Sequence, residues 1–325
     1  MSQLVDIKGL NIRFTGERTV YAVNDLSLSL GDGEVLGLLG ESGSGKSVTL
    51  RALMRLLPKK RTRISGQVKV LGRDVLALND DELSAFRGQT VSMIFQEPGL
   101  ALDPVYTIGR QIVETVMRHE GKSVAEAKAR ALDMLEIVRI PSAKRRFDAF
   151  PHEMSGGMRQ RAMIALALAC KPKILLADEP TTALDATVQI QILLLLRELQ
   201  REFGMSVIFV THDIGVAIEI CDRVAVMYAG QIVEQGTLGQ IVRSPLHPYA
   251  RGLLASTVLR ARRGQRLETI PGTPPSLDQA PTNCSFAPRC SFAEPRCIER
   301  IPPNVQIAPG RVARCILAER ETAAS

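Results

Sequence analysis

The sequence predicts an α/β protein built around a largely parallel sheet, and three observations carry that expectation. Apolar runs of strand length recur as "EVLGLLG", "KILLAD", "SVIFVTH" and "RVAVMYAG", the pattern of strands covered on both faces. A helix-length amphipathic stretch, "TVQIQILLLLRELQREFG", stands between the second and third, and strands alternating with helices imply parallel neighbours. The third observation is "GESGSGKS", Gly40 to Ser47, set directly after the first apolar run and directly before "VTLRALMRLL".

Taken in chain order, the first seventy residues hold short β-rich segments, "LVDIKGLNIRF", "VYAVNDLSLSL", "EVLGLLG" and "GQVKVLG", broken by Gly, Asn and Asp turns. Gly40 to Ser47 fits G-x-x-x-x-G-K-[ST] between a strand and a helix, the context that gives such a match its meaning. Gly40, Gly43 and Gly45 let successive backbone N–H groups face phosphate oxygens without Cβ interference, and the following helix adds its positive end. The whole loop, with Glu41, Ser42 and Ser44, is the expected nucleotide cradle. In it Lys46 neutralises β- and γ-phosphates and Ser47 ligates Mg²⁺.

From Thr107 to about Arg145 the periodicity turns helical, with Ser123 and Glu126 at capping-box spacing. A helical insert at about 97–160 therefore interrupts a sheet domain running over 1–250. "KILLADEP" ends in Asp178 and Glu179, at the strand edge where α/β ligands gather. Asp178 suits a hydrated Mg²⁺ and Glu179 a water poised for in-line attack, the alternative being a solvated pair of strand-end acids. Ser155 is positioned to cap the helix that opens with "GGMRQRAMIALALA".

Composition bounds the class. A chain of 325 residues with 45% hydrophobic and 23% charged residues has the makings of an ordinary globular core. Its apolar runs fall well short of the ~20 residues a membrane helix needs, and "MSQLVDIKGLNIRF" lacks the zones of a secretory signal. A cytosolic, reducing setting is the expectation. From Arg251 to Ser325, eleven Arg and no Lys stand against six acids, so +5 of the net +7 lies in the tail, with half of the 18 prolines. Such a bias fits either anionic partners or a solvated irregular module.

Three further stretches give the phosphate motifs a family. "IFQEP", "FPHEMSGGMRQRAMIALALA" and "VIFVTHD", in this order and spacing, resemble the nucleotide-binding subunits of ABC transporters. The resemblance implies a RecA-like core with an antiparallel β subdomain and an inserted helical subdomain. It implies a signature at Ser155, Gly156 and Gly157, a Q-loop at Gln96, a D-loop at Ala183, Leu184 and Asp185, and a switch histidine at His212. It also places an adenine-stacking aromatic at Tyr21, 25 residues before Lys46. Gln96 would then meet Mg²⁺ or water, and Glu179, His212 and Gln96 would carry the catalysis. The signature would reach ATP held by a second ATPase subunit. "MSGGM" departs from the usual LSGGQ form of the family, and a non-identical partner is one explanation. His119, His152 and His247 read as surface or packing residues.

Cys170 and Cys221 lie in apolar or helical surroundings and read as core thiols. Cys284, Cys290, Cys297 and Cys315 crowd into 32 residues as C-x5-C-x6-C-x17-C, without the close pair of a zinc ribbon and off the ferredoxin spacing. Residues by themselves leave an iron-sulfur centre, zinc and plain thiols open. "SPLHPYARGLL" and "GTPPSLDQAPTNCSFAPRC" resemble the extension, here 251–325, of the dipeptide, oligopeptide and nickel importer branch. Some members of that branch bind a 4Fe-4S cluster on such cysteines, so the resemblance implies one here. A structural clasp and a redox sensor are equally open as its role.

The resemblance implies an ATPase at the cytoplasmic face of the inner membrane. It would bind two permease subunits and couple ATP and Mg²⁺ to import of peptides, or of nickel or opine-like solutes, with an external solute-binding protein indirectly involved and no nucleic acid. Two rivals remain. A soluble ABC ATPase acting on nucleic acid or ribosomes is suggested by the basic tail, but there is one copy of each motif and no coiled-coil insertion between Lys46 and Ser155. A non-hydrolysing regulatory module would require a degraded Glu179 or His212, and both are intact.

Overall fold

A computed structural model describes residues 3–182, 184–257 and 269–323. They form two compact units, one from residues up to Ala77 together with those from Phe209 onward, the other from Leu78 to Ile208.

In the first unit, Gln3–Phe14 pairs antiparallel with Val20–Gly31 on one side and Thr62–Val70 on the other, and Arg73–Asp74 closes the edge. Along these strands buried and exposed residues alternate, as expected for a sheet with one covered face. Val35–Leu39 is buried at every residue and pairs in parallel with Arg223–Tyr228, which is why it reads as an unbroken apolar run. Gln231–Thr237 returns antiparallel along Arg223–Tyr228.

The tail does not stand apart from this unit. Arg311–Ala313 pairs with Gln231–Thr237, and Val305–Ala308 pairs with Arg311–Ala313. Leu246, Ala313, Cys315 and Ala318 make a buried cluster against which Val305, Ile307 and Leu317 pack. Residues 269–304 are largely irregular, as composition allowed, and a short β-ribbon with a buried cluster of its own follows them. The pattern was hard to see because two short strands and small apolar residues carry it.

In the second unit Val91–Ile94 runs parallel to Ile174–Asp178, with Ile94 opposite Ala177. Helices Asp80–Gln89, Ile108–Glu120, Val124–Ile137, Gly156–Leu168 and Ala186–Phe203 account for most of the rest. Their ends are fixed locally. Thr107 caps the second, and Ser123 with Glu126 forms the reciprocal capping box of the third. Gly204, with φ of 61°, terminates the last, in the left-handed conformation that glycine adopts without a Cβ penalty. Ser206–Thr211 then leads the chain back into the first unit. Among the described residues no helix is long and apolar enough to cross a membrane.

Candidate functional site

The first unit carries the glycine-rich loop. Gly40 leaves the fully buried strand Val35–Leu39, and Gly45, at φ 102°, caps the helix Lys46–Leu53. A Cβ on Gly40 would lie 2.1 Å from the Met227 carbonyl oxygen, and one on Gly45 would lie 2.4 Å from that of Ala22. Backbone on both sides leaves room for hydrogen alone. Lys46 is buried, and its ammonium donates to the carbonyls of Gly40 at 2.7 Å and Glu41 at 2.8 Å. Ser47 follows in the first helical turn, half-buried.

Ser44 supplies a test of what this loop accepts. Its hydroxyl is buried and has no hydrogen-bond partner among the described residues, a condition that costs about 1–3 kcal/mol. The loop therefore contains a donor waiting for an acceptor, beside a buried cation and a helix N-terminus. That donor set fits a phosphate group.

Tyr21 is half-buried, and its backbone N–H donates to the Leu277 carbonyl at 2.7 Å. It lines an open cavity of about 810 Å³ with Arg13 and Arg63 across the sheet and Pro302 and Asn304 from the tail. Register explains the row, since Arg13 is opposite Tyr21 on one neighbour and Arg63 on the other. His212 is exposed just past the strand Ser206–Thr211. Asp213 beside it caps the next helix through Gly215 at 2.7 Å.

In the second unit Asp178 ends its strand almost wholly buried, 1% exposed. Glu179 follows at φ 46°, a left-handed backbone that costs a non-glycine residue on the order of 1 kcal/mol. Its carboxylate accepts from the Thr182 hydroxyl at 3.0 Å and from Gln96 Nε2 at 3.4 Å. Gln96 comes two residues after Val91–Ile94. Because that strand is parallel to Ile174–Asp178, both strands release their chains at one edge, which is how residues 83 apart in sequence meet.

Ser155 caps Gly156–Leu168 by accepting from the Met158 N–H at 3.4 Å. Met154 before it is 5% exposed, so the first methionine of "MSGGM" is a core side chain that replaces leucine at nearly constant volume. A Cβ on Gly157 would come within 3.0 Å of Val188 Cγ1, whereas Gly156 has open space. Asp185 caps the helix Ala186–Phe203 by accepting from the Val188 N–H at 3.0 Å. Of the expected D-loop, Ala183 lies outside the described residues.

The six cysteines divide as the sequence suggested. Burial pushes the Cys170 thiol up to about 11, and Cys221 packs where a Cβ on Gly37 would stand 2.7 Å from its sulfur. Cys284, Cys290, Cys297 and Cys315 line one small cavity together with His247, Phe286 and Phe292. Backbone N–H groups point at three of the sulfurs: those of Phe286 and Ala287 at Cys284, of Phe292 at Cys290, and of Leu317 and Ala318 at Cys315. No group of three or more His, Cys, Asp or Glu among the described residues is arranged to hold a metal ion, so the four thiols are no preformed single-ion site. His247 is a packing residue, as expected; burial drives its pKa down to about 3.

Three residues escaped the sequence reading. Thr182 gave only the general signal of a hydroxyl near an acid. Arg289 and Tyr249 both meet Glu41: the guanidinium bridges its carboxylate at 2.8 and 3.1 Å, and the phenol accepts its backbone N–H at 2.8 Å. An acid inside a phosphate loop was the available hint, since it calls for a counter-charge. Several arginines among the described residues of the tail are engaged in ion pairs. Arg296 pairs with Glu319, Arg314 with Asp25 and Arg320 with Glu294, so these three charges are matched within the chain.

Residues 23–182 match the model of the ABC transporter family, and residues 233–297 match that of the oligopeptide/dipeptide transporter C-terminal region. A probable peptide ABC transporter ATP-binding protein of Sinorhizobium fredii is 49% identical over 96% of this chain and 94% of its own. The oligopeptide transport ATP-binding protein OppD of Salmonella typhimurium is 48% identical over 96% of this chain and 93% of its own. Among solved structures, the ATP-binding cassette MJ0796, a dimer in a post-hydrolysis state bound to ADP and Pi, superposes with a TM-score of 0.64 at 32% identity. That match covers 72% of this chain and 98% of the cassette.

Proposed function

This chain belongs to the ABC transporter family of ATP-binding proteins, and on that premise we propose that it works as the ATP-binding and ATP-hydrolysing subunit of a peptide-type importer. It is an ATPase whose turnover serves import through membrane permease partners. The observation that carries the nucleotide chemistry is the buried Ser44 hydroxyl, without a hydrogen-bond partner among the described residues, inside a loop that excludes every side chain at Gly40 and Gly45. The tail of the oligopeptide/dipeptide type supports the substrate class.

In this reading the backbone from Gly40 to Ser47 cradles the phosphates and Lys46 neutralises the β/γ pair. Ser47, Asp178 and Gln96 would hold Mg²⁺, which when bound offsets charge on the phosphate oxygens. Glu179, steadied by Thr182 and Gln96, orients the attacking water, and His212 donates to the γ-phosphate. Tyr21 offers a flat face to adenine. Ser155, Gly156 and Gly157 present a capped helix end to nucleotide held by a second ATPase subunit, with Asp185 fixing the neighbouring helix. We place the ATPase domain at 1–250, its helical insert at about 97–160, and the extension at 251–325.

The finer assembly follows from particular residues. Met158 stands where the family's signature carries a polar side chain, which favours pairing with a non-identical ATPase whose own signature is complete. Two permease subunits and attachment to the inner face of the cell membrane belong to the same reading. Cys284, Cys290, Cys297 and Cys315 would hold a 4Fe-4S cluster: all four face one cavity, an apolar wall surrounds it, and N–H groups directed at the sulfurs stabilise charged thiolate ligands.

The test is reconstitution with the permease genes beside this one. Membranes holding the complete complex should take up peptide with ATP and fail to do so when Lys46 is changed to Ala. A chain that never associates with membrane in such cells refutes the transport reading.

A further inference from the structure

Glu41 is an oddity in its loop. A carboxylate placed among the N–H groups meant for a triphosphate repels the ligand those groups attract. The structure answers this with one residue of the tail. Arg289 sends both terminal nitrogens to the Glu41 carboxylate, at 2.8 and 3.1 Å, the paired geometry in which a guanidinium binds a carboxylate best. The arginine side chain is only 5% exposed against 26% for Glu41. Its remaining donors are used elsewhere: Nε on the Pro271 carbonyl at 2.7 Å, and the terminal nitrogens on Tyr228 Oη at 3.3 Å and the Ile270 carbonyl at 3.4 Å. Tyr228 and Phe286 flank the guanidinium at 5.7 and 5.9 Å from their ring centres. So Arg289 has no hand free for a ligand, and contacts other than Glu41 also hold it in place.

We propose that Arg289 is a positioning residue for nucleotide binding: by neutralising Glu41 and drawing its carboxylate toward the tail, it lets an acidic phosphate loop accept a triphosphate. The extension is then a working part of the nucleotide site, entering it 248 residues away in sequence. Tyr249 reinforces the hold by accepting the Glu41 backbone N–H at 2.8 Å, which sets the orientation of the loop's second residue. Arg289 also precedes Cys290, so the thiol-lined cavity and the loop are joined by consecutive residues.

The inference rests on the reading of Gly40–Ser47 as a nucleotide cradle, and the experiment separates the two. Binding of ATP and of uncharged adenosine is measured by calorimetry on the full-length chain, for wild type, Arg289→Gln, Glu41→Gln, the double variant and Arg289→Lys. Charge compensation predicts that R289Q weakens ATP about tenfold while leaving adenosine unchanged. It predicts that E41Q binds at least as tightly as wild type, and that the double variant returns to within about threefold of wild type. R289K, which keeps the charge without the fork, should fall between. In the assembled transporter R289Q should raise KM for ATP and leave kcat within about twofold. Wild-type affinity in R289Q overturns the inference, and so does a double variant as weak as R289Q, because the loss would then be one of packing. If R289Q does not fold, R289K against the E41Q/R289K pair decides by the same pattern. A wild-type chain that binds no ATP overturns the nucleotide reading itself.

Discussion

Gln96 Nε2 lies 3.4 Å from Glu179 Oε2, an amide donor and a carboxylate brought together by two parallel strands that end side by side. The contact orients a carboxylate whose backbone is already confined to the left-handed region, so both ends of Glu179 are constrained.

Glu179→Gln keeps the shape and removes the charge. It should retain ATP binding and lower turnover by ~100-fold or more, because the loss falls on the chemical step. Single-turnover hydrolysis beside equilibrium binding checks this; unchanged hydrolysis would mean another group orients the water.

Thr182→Val removes the hydroxyl that donates to Glu179 at 3.0 Å. We expect kcat to fall roughly three- to tenfold with KM for ATP little changed, as befits a residue acting through another. A rise in KM alone would place Thr182 in ground-state binding instead.

Asp185→Ala takes away the cap on the Val188 N–H. A lost N-cap costs about 1 kcal/mol, so denaturant unfolding should shift by that amount. Val188 is also the side chain that Gly157 approaches, so ATPase activity in the complete transporter should drop further than stability does. Equal loss in both would make Asp185 a cap and nothing more.

Cys170 tests the alkaline limb of stability. Its thiol titrates near 11 in the folded chain, raised from 9 by burial. The unfolded chain therefore loses this proton first as pH rises, and stability present below pH 9 should decline between 9 and 11. Cys170→Ala should flatten that decline relative to wild type in thermal unfolding across the range. A parallel loss in both proteins would assign the alkaline limb to other groups.

Chain purified without oxygen should contain iron and sulfide and show visible sulfur-to-iron absorption, and Cys284→Ser or Cys297→Ser should remove both. Iron-free wild type would exclude the cluster.

Much of this protein was legible as letters. The glycine spacing of Gly40 to Ser47, the apolar run ending in Asp178 and Glu179, and the caps at Ser123 and Ser155 are local devices. Each works through neighbours within a few residues, so sequence order alone exposes it. What the letters left open was decided by long-range pairing. Parallel register joins Gln96 to Glu179, a β-ribbon binds the tail to Gln231–Thr237, and a buried guanidinium reaches Glu41 from Arg289. These relations depend on which distant segments share an edge or a cavity, and no periodicity of residue types encodes a partner 83 or 248 positions away.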